Sequence, residues 1–182
     1  MNKSNHYRIL DAAKKKFEYY GFKKTTVDEI AEEAGISKRT IYETFNSKEE
    51  ILSELVMAEA LQSRRLVLSQ LKEIEDPLKK LLLFIEQAVK YFQDNPFLGK
   101  VLNDEERLFS PFLSDEIRVI ESGLQHIFYS ILQEGIDYGT FREMNIDTAS
   151  RCVFVLFRNF SYGDTTKHSQ DWTTFIQDAI TK

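Results

Sequence analysis

The sequence has little of the residues that break helices or cross-link chains. It contains one cysteine, three prolines and seven glycines in 182 residues. The single cysteine, Cys152, cannot form an intrachain disulfide, so nothing in the sequence favours an oxidising compartment. So few prolines and glycines favour long helices over a sheet with many turns.

The sequence also lacks long hydrophobic runs. The two longest, at 81–85 and 152–157, are far shorter than the roughly 18 apolar residues that a membrane span requires. The first ten residues lack the apolar stretch of a signal peptide. We therefore expect a cytoplasmic protein that does not contact a membrane.

Charge is unevenly distributed along the chain. The net charge is −5, yet residues 1–50 carry ten Lys and Arg against nine Asp and Glu, whereas residues 51–182 carry fourteen against twenty. This asymmetry is a weak signal by itself, because runs of charge are usually solvated faces. It does allow the N-terminal segment to approach a phosphate backbone.

Helix start and stop signals predict the boundaries of most elements. A first helix over 5–20 ends at Gly21, and a second begins with a capping box formed by Thr26 and Glu29 and ends at Gly35. Ser37 caps a third helix to about residue 45. A second capping box, Ser47 with Glu50, opens a fourth helix to about residue 74.

Each proline follows a good capping residue, which predicts helix starts near residues 77, 96 and 111. We further expect helices over 115–138, from a cap at Asp147 to about 160, and over 172–180. The pattern predicts an all-α protein of nine or ten helices. Residues 1–47 would form a three-helix helix-turn-helix domain, and residues 48–182 a larger helical bundle that binds a ligand and dimerises.

The second and third helices have the spacing of a helix-turn-helix. Ala31 allows two helices to approach closely, Gly35 tolerates the positive φ of a sharp turn, and Ile41 points back into the first helix. In this motif the second helix lies in the DNA major groove. On spacing alone, an ordinary helical hairpin with a glycine turn remains an alternative. The residues on or near the outward surface would be Ser37, Lys38, Arg39, Thr40 and Thr44.

The string GISKRTIYETFNSKEEIL, residues 35–52, closely resembles the DNA-binding signature of the TetR family of bacterial transcriptional regulators. Phe17, Gly21-Phe22 and the run 25–27 strengthen the resemblance, which covers roughly residues 5–56. It implies that Tyr42, Lys48 and Thr26 contact DNA phosphates, contacts that position a protein without reading sequence. The chain departs from the family pattern at Glu43 and Thr44, where the family often has an aromatic residue or histidine. Glu43 would either pair with a nearby lysine or accept a hydrogen bond from cytosine.

The resemblance also implies a ligand cavity in the C-terminal bundle. Most of its aromatic side chains must be core, but some are suitable walls for a small apolar effector. The candidate wall residues are Phe84, Phe92, Phe109, Phe128 and Phe154. Arg151 and Arg158 share a helix face with Phe154 and would either anchor an anionic ligand or lie on a solvated surface.

The last two helices carry more apolar surface than one core can cover, which predicts a homodimer built as a four-helix bundle. The expected interface residues are Phe157, Phe160, Trp172, Phe175, Ile176 and Ile180. No spacing typical of a catalytic or metal site occurs, so we expect neither an enzyme nor a cofactor. The leading hypothesis is a repressor released from a palindromic double-stranded DNA operator by its effector. The alternative is a helical small-molecule- or protein-binding module without useful DNA affinity.

Overall fold

A computed structural model describes residues 3–102, 109–161 and 169–182. Nine helices lie within these ranges, and the described backbone has no β-structure beyond a single bridge between Phe141 and Thr181. In chain order they are α1 (Lys3–Tyr20), α2 (Val27–Ala34), α3 (Lys38–Tyr42), α4 (Lys48–Leu71), α5 (Pro77–Asp94), α6 (Pro96–Leu102), α7 (Ser110–Asp137), α8 (Ile146–Ser161) and α9 (Ser169–Ile180). None of the described helices is long and apolar enough to cross a membrane.

Helices α1, α2 and α3 pack around one small core, and local capping signals determine where they begin and end. The Thr26–Glu29 capping box is present, and Gly35 adopts a left-handed conformation with φ of 62°. Arg8 on α1 donates to the carbonyls of Ala34 and Gly35, which holds the turn before α3 against the first helix. The core side chains include Ile9, Ala13, Phe17, Ile30, Ala31, Ile41 and Phe45.

Several predicted boundaries were wrong by a few residues. Helix α4 ends at Leu71 rather than 74, and α3 ends at Tyr42 rather than 45. Helix α7 begins at Ser110 and passes through a non-helical residue at Leu113, so the short and long helices expected there are merged across a kink. These differences occur at helix ends, which fray, and at the kink in α7. Capping residues do not predict either feature.

Two predicted caps also differ in detail. Ser47 accepts a hydrogen bond from the backbone N–H of Glu50, but the Glu50 carboxylate accepts from Asn46 rather than from Ser47, so this capping box is only half formed. Helix α8 is capped by Asn145, whose side-chain oxygen accepts from the backbone N–H of Thr148. Asp147, the expected cap, lies inside the first turn of α8 instead.

The C-terminal body is built around an aromatic cluster. The ring of Phe157 on α8 contacts Phe84 and Phe92 on α5 and Phe128 on α7. All four rings are buried. Helix α4 runs from the N-terminal three-helix unit into this body and packs there against α5, α6 and α7.

Candidate nucleic-acid interface and effector cavity

The residues expected to face DNA lie on the outer surface of α3. Ser37 caps the helix by accepting from the N–H of Thr40, and the two hydroxyls are 2.9 Å apart. Lys38, Arg39 and Tyr42 are exposed. The Thr44 hydroxyl, just beyond the helix, donates to the carbonyl of Thr40 and is half-buried. This surface therefore presents short polar side chains and two cations on a well-capped single turn.

Both cations of α3 are paired with acidic side chains of the same protein. Lys38 lies 2.8 Å from Asp28 of α2, and this hydrogen bond raises the pKa of Lys38 above its usual value. Arg39 lies 2.9 Å from Glu43, one turn along the same surface. Glu43 thus pairs with an arginine rather than with a lysine. These pairs are exposed and individually weak, so a phosphate or base edge can displace the carboxylates.

Thr26 is engaged by Glu29 on three sides. The backbone N–H and the hydroxyl of Thr26 donate to the Glu29 carboxylate at 2.7 and 2.8 Å, and the hydroxyl accepts from the Glu29 N–H. These two donated bonds lower the pKa of Glu29, the backbone donor contributing most. A carboxylate therefore already occupies the N-terminus of α2, the position where the resemblance implied a phosphate.

Lys48 ties the start of α4 to the loop between α1 and α2. Its ammonium group donates to the carbonyls of Phe22 and Thr25, both at 2.7 Å, and lies 4.4 Å from the centre of the Phe22 ring. Two of its three N–H donors are thus used inside the protein. The side chain is half-buried.

An apolar cavity of about 80 Å³ lies between α4, α5, α6 and α7. Its wall includes Met57, Leu61 and Val67 of α4, Phe84, Ala88 and Phe92 of α5, Leu98 and Leu102 of α6, and Ile120, Gly123 and Ile127 of α7. Arg64 of α4 is the charged residue in this wall, and the described residues offer it no acidic partner. A guanidinium at the edge of an apolar cavity can bind the anionic end of an amphipathic molecule.

The expected pocket residues divide between this cavity and other places. Phe84 and Phe92 line it. Phe128 and Phe154 are buried in the core, and Phe109 packs against Phe97. Arg151 is exposed, and Arg158 pairs with Glu121 at 3.3 Å, so neither reaches the cavity. The sequence analysis did not identify Arg64. The pattern that could have indicated it is an arginine with apolar residues at helical spacing on either side, Leu61 and Leu68.

The residues expected at a dimer interface are mostly used inside the protomer. Phe157, Trp172, Ile176 and Ile180 are buried, and Phe160 stacks on Trp172 with ring centres 5.7 Å apart. Phe175 differs, because 63% of its surface is exposed. It lies beside Cys152 on a groove of about 270 Å³ between α8 and α9, and Val155 is exposed on the same side of α8 as Cys152.

Comparisons with known proteins agree with this architecture. The family model of bacterial regulatory proteins of the tetR family matches residues 9–55, and that of the tetracyclin repressor-like C-terminal domain matches residues 75–161. The fatty acid metabolism regulator protein of Bacillus subtilis (strain 168) is 29% identical over 150 residues, 82% of this chain and 77% of that protein.

Two solved structures extend the similarity. The regulator FadR from Bacillus subtilis, in complex with stearoyl-CoA, superposes with a TM-score of 0.75 at 26% identity over 95% of this chain and 94% of that chain. A TetR regulator from Haloarcula marismortui ATCC 43049 shares the fold, with a TM-score of 0.84 at 17% identity over 99% and 100% of the two chains. These relatives are transcriptional regulators and not enzymes. The chain belongs to the TetR family of bacterial transcriptional regulators and is a DNA-binding protein with a helical ligand-binding domain.

Proposed function

We propose that the protein is a homodimeric repressor that binds a palindromic operator through α3 of each subunit and leaves it when an effector occupies the cavity. The observation that carries the DNA half of this proposal is the exposed polar surface of α3. Arg39 and Thr40 would contact base edges, together with Ser37, Lys38 and Thr44. Arg39 would leave Glu43 and bind a guanine edge instead, which contributes to specificity. Tyr42 and the free donor of Lys48 would contact phosphates.

The dimer would form through the exposed sides of α8 and α9. Phe175 and Val155 are large apolar side chains that a monomer leaves in water, and Phe175 lines the groove between these helices. A two-fold interface places the same patch against itself, which buries both copies of Phe175 at once. A two-fold protein in turn requires an operator with two half-sites.

The effector we propose is an acyl chain joined to an anionic head group. The apolar wall suits the chain, and Arg64 suits the anion. The stearoyl-CoA bound to the Bacillus subtilis relative belongs to the same chemical class. Because the cavity is small, a long chain must separate α4 from α7 to enter. Helix α4 begins at Lys48, so this separation would move the DNA-binding domain and couple the two sites by linkage.

Selection of bound duplexes from a random library tests the proposal directly. We expect an inverted repeat bound by two subunits, and release of that duplex by stearoyl-CoA but not by coenzyme A without an acyl chain. The failure to recover any preferred duplex would favour a helical binding module without DNA affinity. Recovery of a duplex that no acyl-CoA displaces would contradict the effector assignment alone.

A further inference from the structure

The loop between α1 and α2 carries two neighbouring lysines, Lys23 and Lys24, with exposed side chains. Neither has a hydrogen bond or an ion pair with the described residues. Lys23 and Lys24 therefore place two positive charges at neighbouring positions, and no described acidic side chain neutralises either of them. They are also not among the residues that the helix-turn-helix spacing identifies.

Every other lysine and arginine of the DNA-binding domain whose side chain is described is engaged within the protein. Their partners are backbone carbonyls or acidic side chains. These engaged cations are Arg8, Lys14, Lys15, Lys16, Lys38, Arg39 and Lys48. Among the described side chains of residues 4–50, Lys23 and Lys24 are therefore the cations with no hydrogen bond or ion pair inside the protein, so an external polyanion can bind them without competing with an internal partner.

The loop that carries these lysines is held in place from both ends. The Thr25 hydroxyl is buried and donates to the carbonyl of Gly21 at 2.9 Å, and Lys48 donates to the carbonyls of Phe22 and Thr25. The backbone between Phe22 and Thr25 is thus immobilised before any ligand arrives. Binding through a preorganised loop loses less conformational entropy than binding through a mobile one.

The position of the loop relative to α2 decides which anion it meets. It precedes Thr26, whose polar groups are occupied by the Glu29 carboxylate. A DNA strand approaching the N-terminus of α2 therefore meets a negative charge, and close contact requires cations beside it. We propose that Lys23 and Lys24 supply this positive charge and bind the DNA backbone next to α2, independently of base sequence. This inference rests on the operator binding proposed above.

The test is the salt dependence of duplex binding by the 182-residue protein, as the dimer proposed above. The variant Lys23→Ala/Lys24→Ala removes two phosphate contacts per subunit, so the slope of log K against log salt should become shallower by about 3.6 per dimer. The affinity for the selected operator and for a random duplex should fall by the same factor. The operator sequence that is preferred should not change.

Two matched variants separate this contact from a general charge effect. Lys23→Arg/Lys24→Arg keeps both charges and should retain the wild-type slope. Lys72→Ala/Lys79→Ala removes the same charge from exposed sites on the C-terminal body and should also leave the slope unchanged. An unchanged slope in the Lys23→Ala/Lys24→Ala variant would overturn the inference, as would an equal change in the control. Absence of duplex binding by the wild-type protein would instead contradict the proposed function.

Discussion

Phe22 of the DNA-binding domain and Phe112 of the C-terminal body are in ring contact, with centroids 5.2 Å apart. Phe22 is buried and its carbonyl accepts from Lys48, whereas Phe112 lies in the first turn of α7 beside the kink at Leu113. The loop that carries Lys23 and Lys24 therefore contacts the same helix that forms one wall of the apolar cavity. This contact connects the two parts of the protein in addition to α4 and to the packing of α1 against α6.

A double-mutant cycle measures the strength of this connection. Aromatic pairs contribute about 0.5–1.5 kcal/mol beyond the area they bury. We expect Phe22→Leu and Phe112→Leu to show a coupling of that size in the free energy of urea unfolding. Additive effects of the two substitutions, within about 0.3 kcal/mol, would mean that the rings do not interact in solution.

Arg64 and Arg65 are adjacent arginines on α4, of which only Arg64 lines the cavity. Arg64→Met should weaken stearoyl-CoA binding roughly tenfold or more, because a charge-assisted hydrogen bond to the anionic head group is lost. Arg65→Met removes the same charge outside the cavity and should leave the affinity unchanged. Isothermal titration calorimetry distinguishes the two, and equal losses in both variants would indicate a non-specific charge effect.

Substitution by alanine should have opposite effects on the free energy of unfolding at two glycines of α7. A Cβ at Gly135 would lie 1.9 Å from the Phe141 ring, which is buried, so Gly135→Ala should lower the free energy of unfolding by about 1–3 kcal/mol. A Cβ at Gly123 meets only Arg64, at 3.9 Å. Gly123→Ala should therefore be neutral or stabilise the protein by up to about 1 kcal/mol. Equal effects in chemical unfolding would contradict this packing.

The dimer proposal predicts that a charge at Phe175 prevents association. Phe175→Asp should shift the protein from dimer to monomer in analytical ultracentrifugation at micromolar concentration, because two buried carboxylates would face each other across the two-fold axis. Tyr19→Asp alters an aromatic of α1 that is even more exposed, at 80%, and should leave the dimer intact. A wild-type protein that sediments as a monomer would contradict the proposed interface.

The capping box of α2 should lose its stabilising effect in acid. The pKa of Glu29 in the folded protein is below its ordinary value of 4.5. The contribution of the ionised Glu29 carboxylate to the free energy of unfolding is therefore fully present above pH 4.5, and it is lost as the pH falls through the lower folded-state pKa. An NMR titration of the Glu29 carboxyl carbon measures this directly. In Thr26→Ala the pKa should rise only partly, because the backbone N–H of residue 26 still donates. A wild-type pKa of 4.5 would show that the box is open in solution.

Local signals in the sequence were sufficient to predict where the helices of the helix-turn-helix begin and end. Gly21, Thr26, Gly35 and Ser37 act within one helical turn, since a cap satisfies backbone groups two or three residues away. The structure has a helix end or cap at each of them. The helix boundaries of the motif therefore followed from residues that are close together in the chain, whereas its assignment to DNA binding rested on the resemblance of residues 35–52 to the TetR family signature.

Tertiary packing alone decided which partner each amphipathic helix face meets. The stripe of Trp172, Ile176 and Ile180 was correctly identified as apolar, but it is covered by the same protomer, which leaves Phe175 as the exposed ring. Likewise Phe84 lines the cavity while Phe128, equally apolar, completes the core beside it. Helical periodicity shows which side chains share a face, whereas the covering of that face depends on helices distant in the chain. The hydrogen bonds of Lys48 also depend on tertiary packing, because the carbonyls that accept from it lie more than twenty residues earlier in the chain.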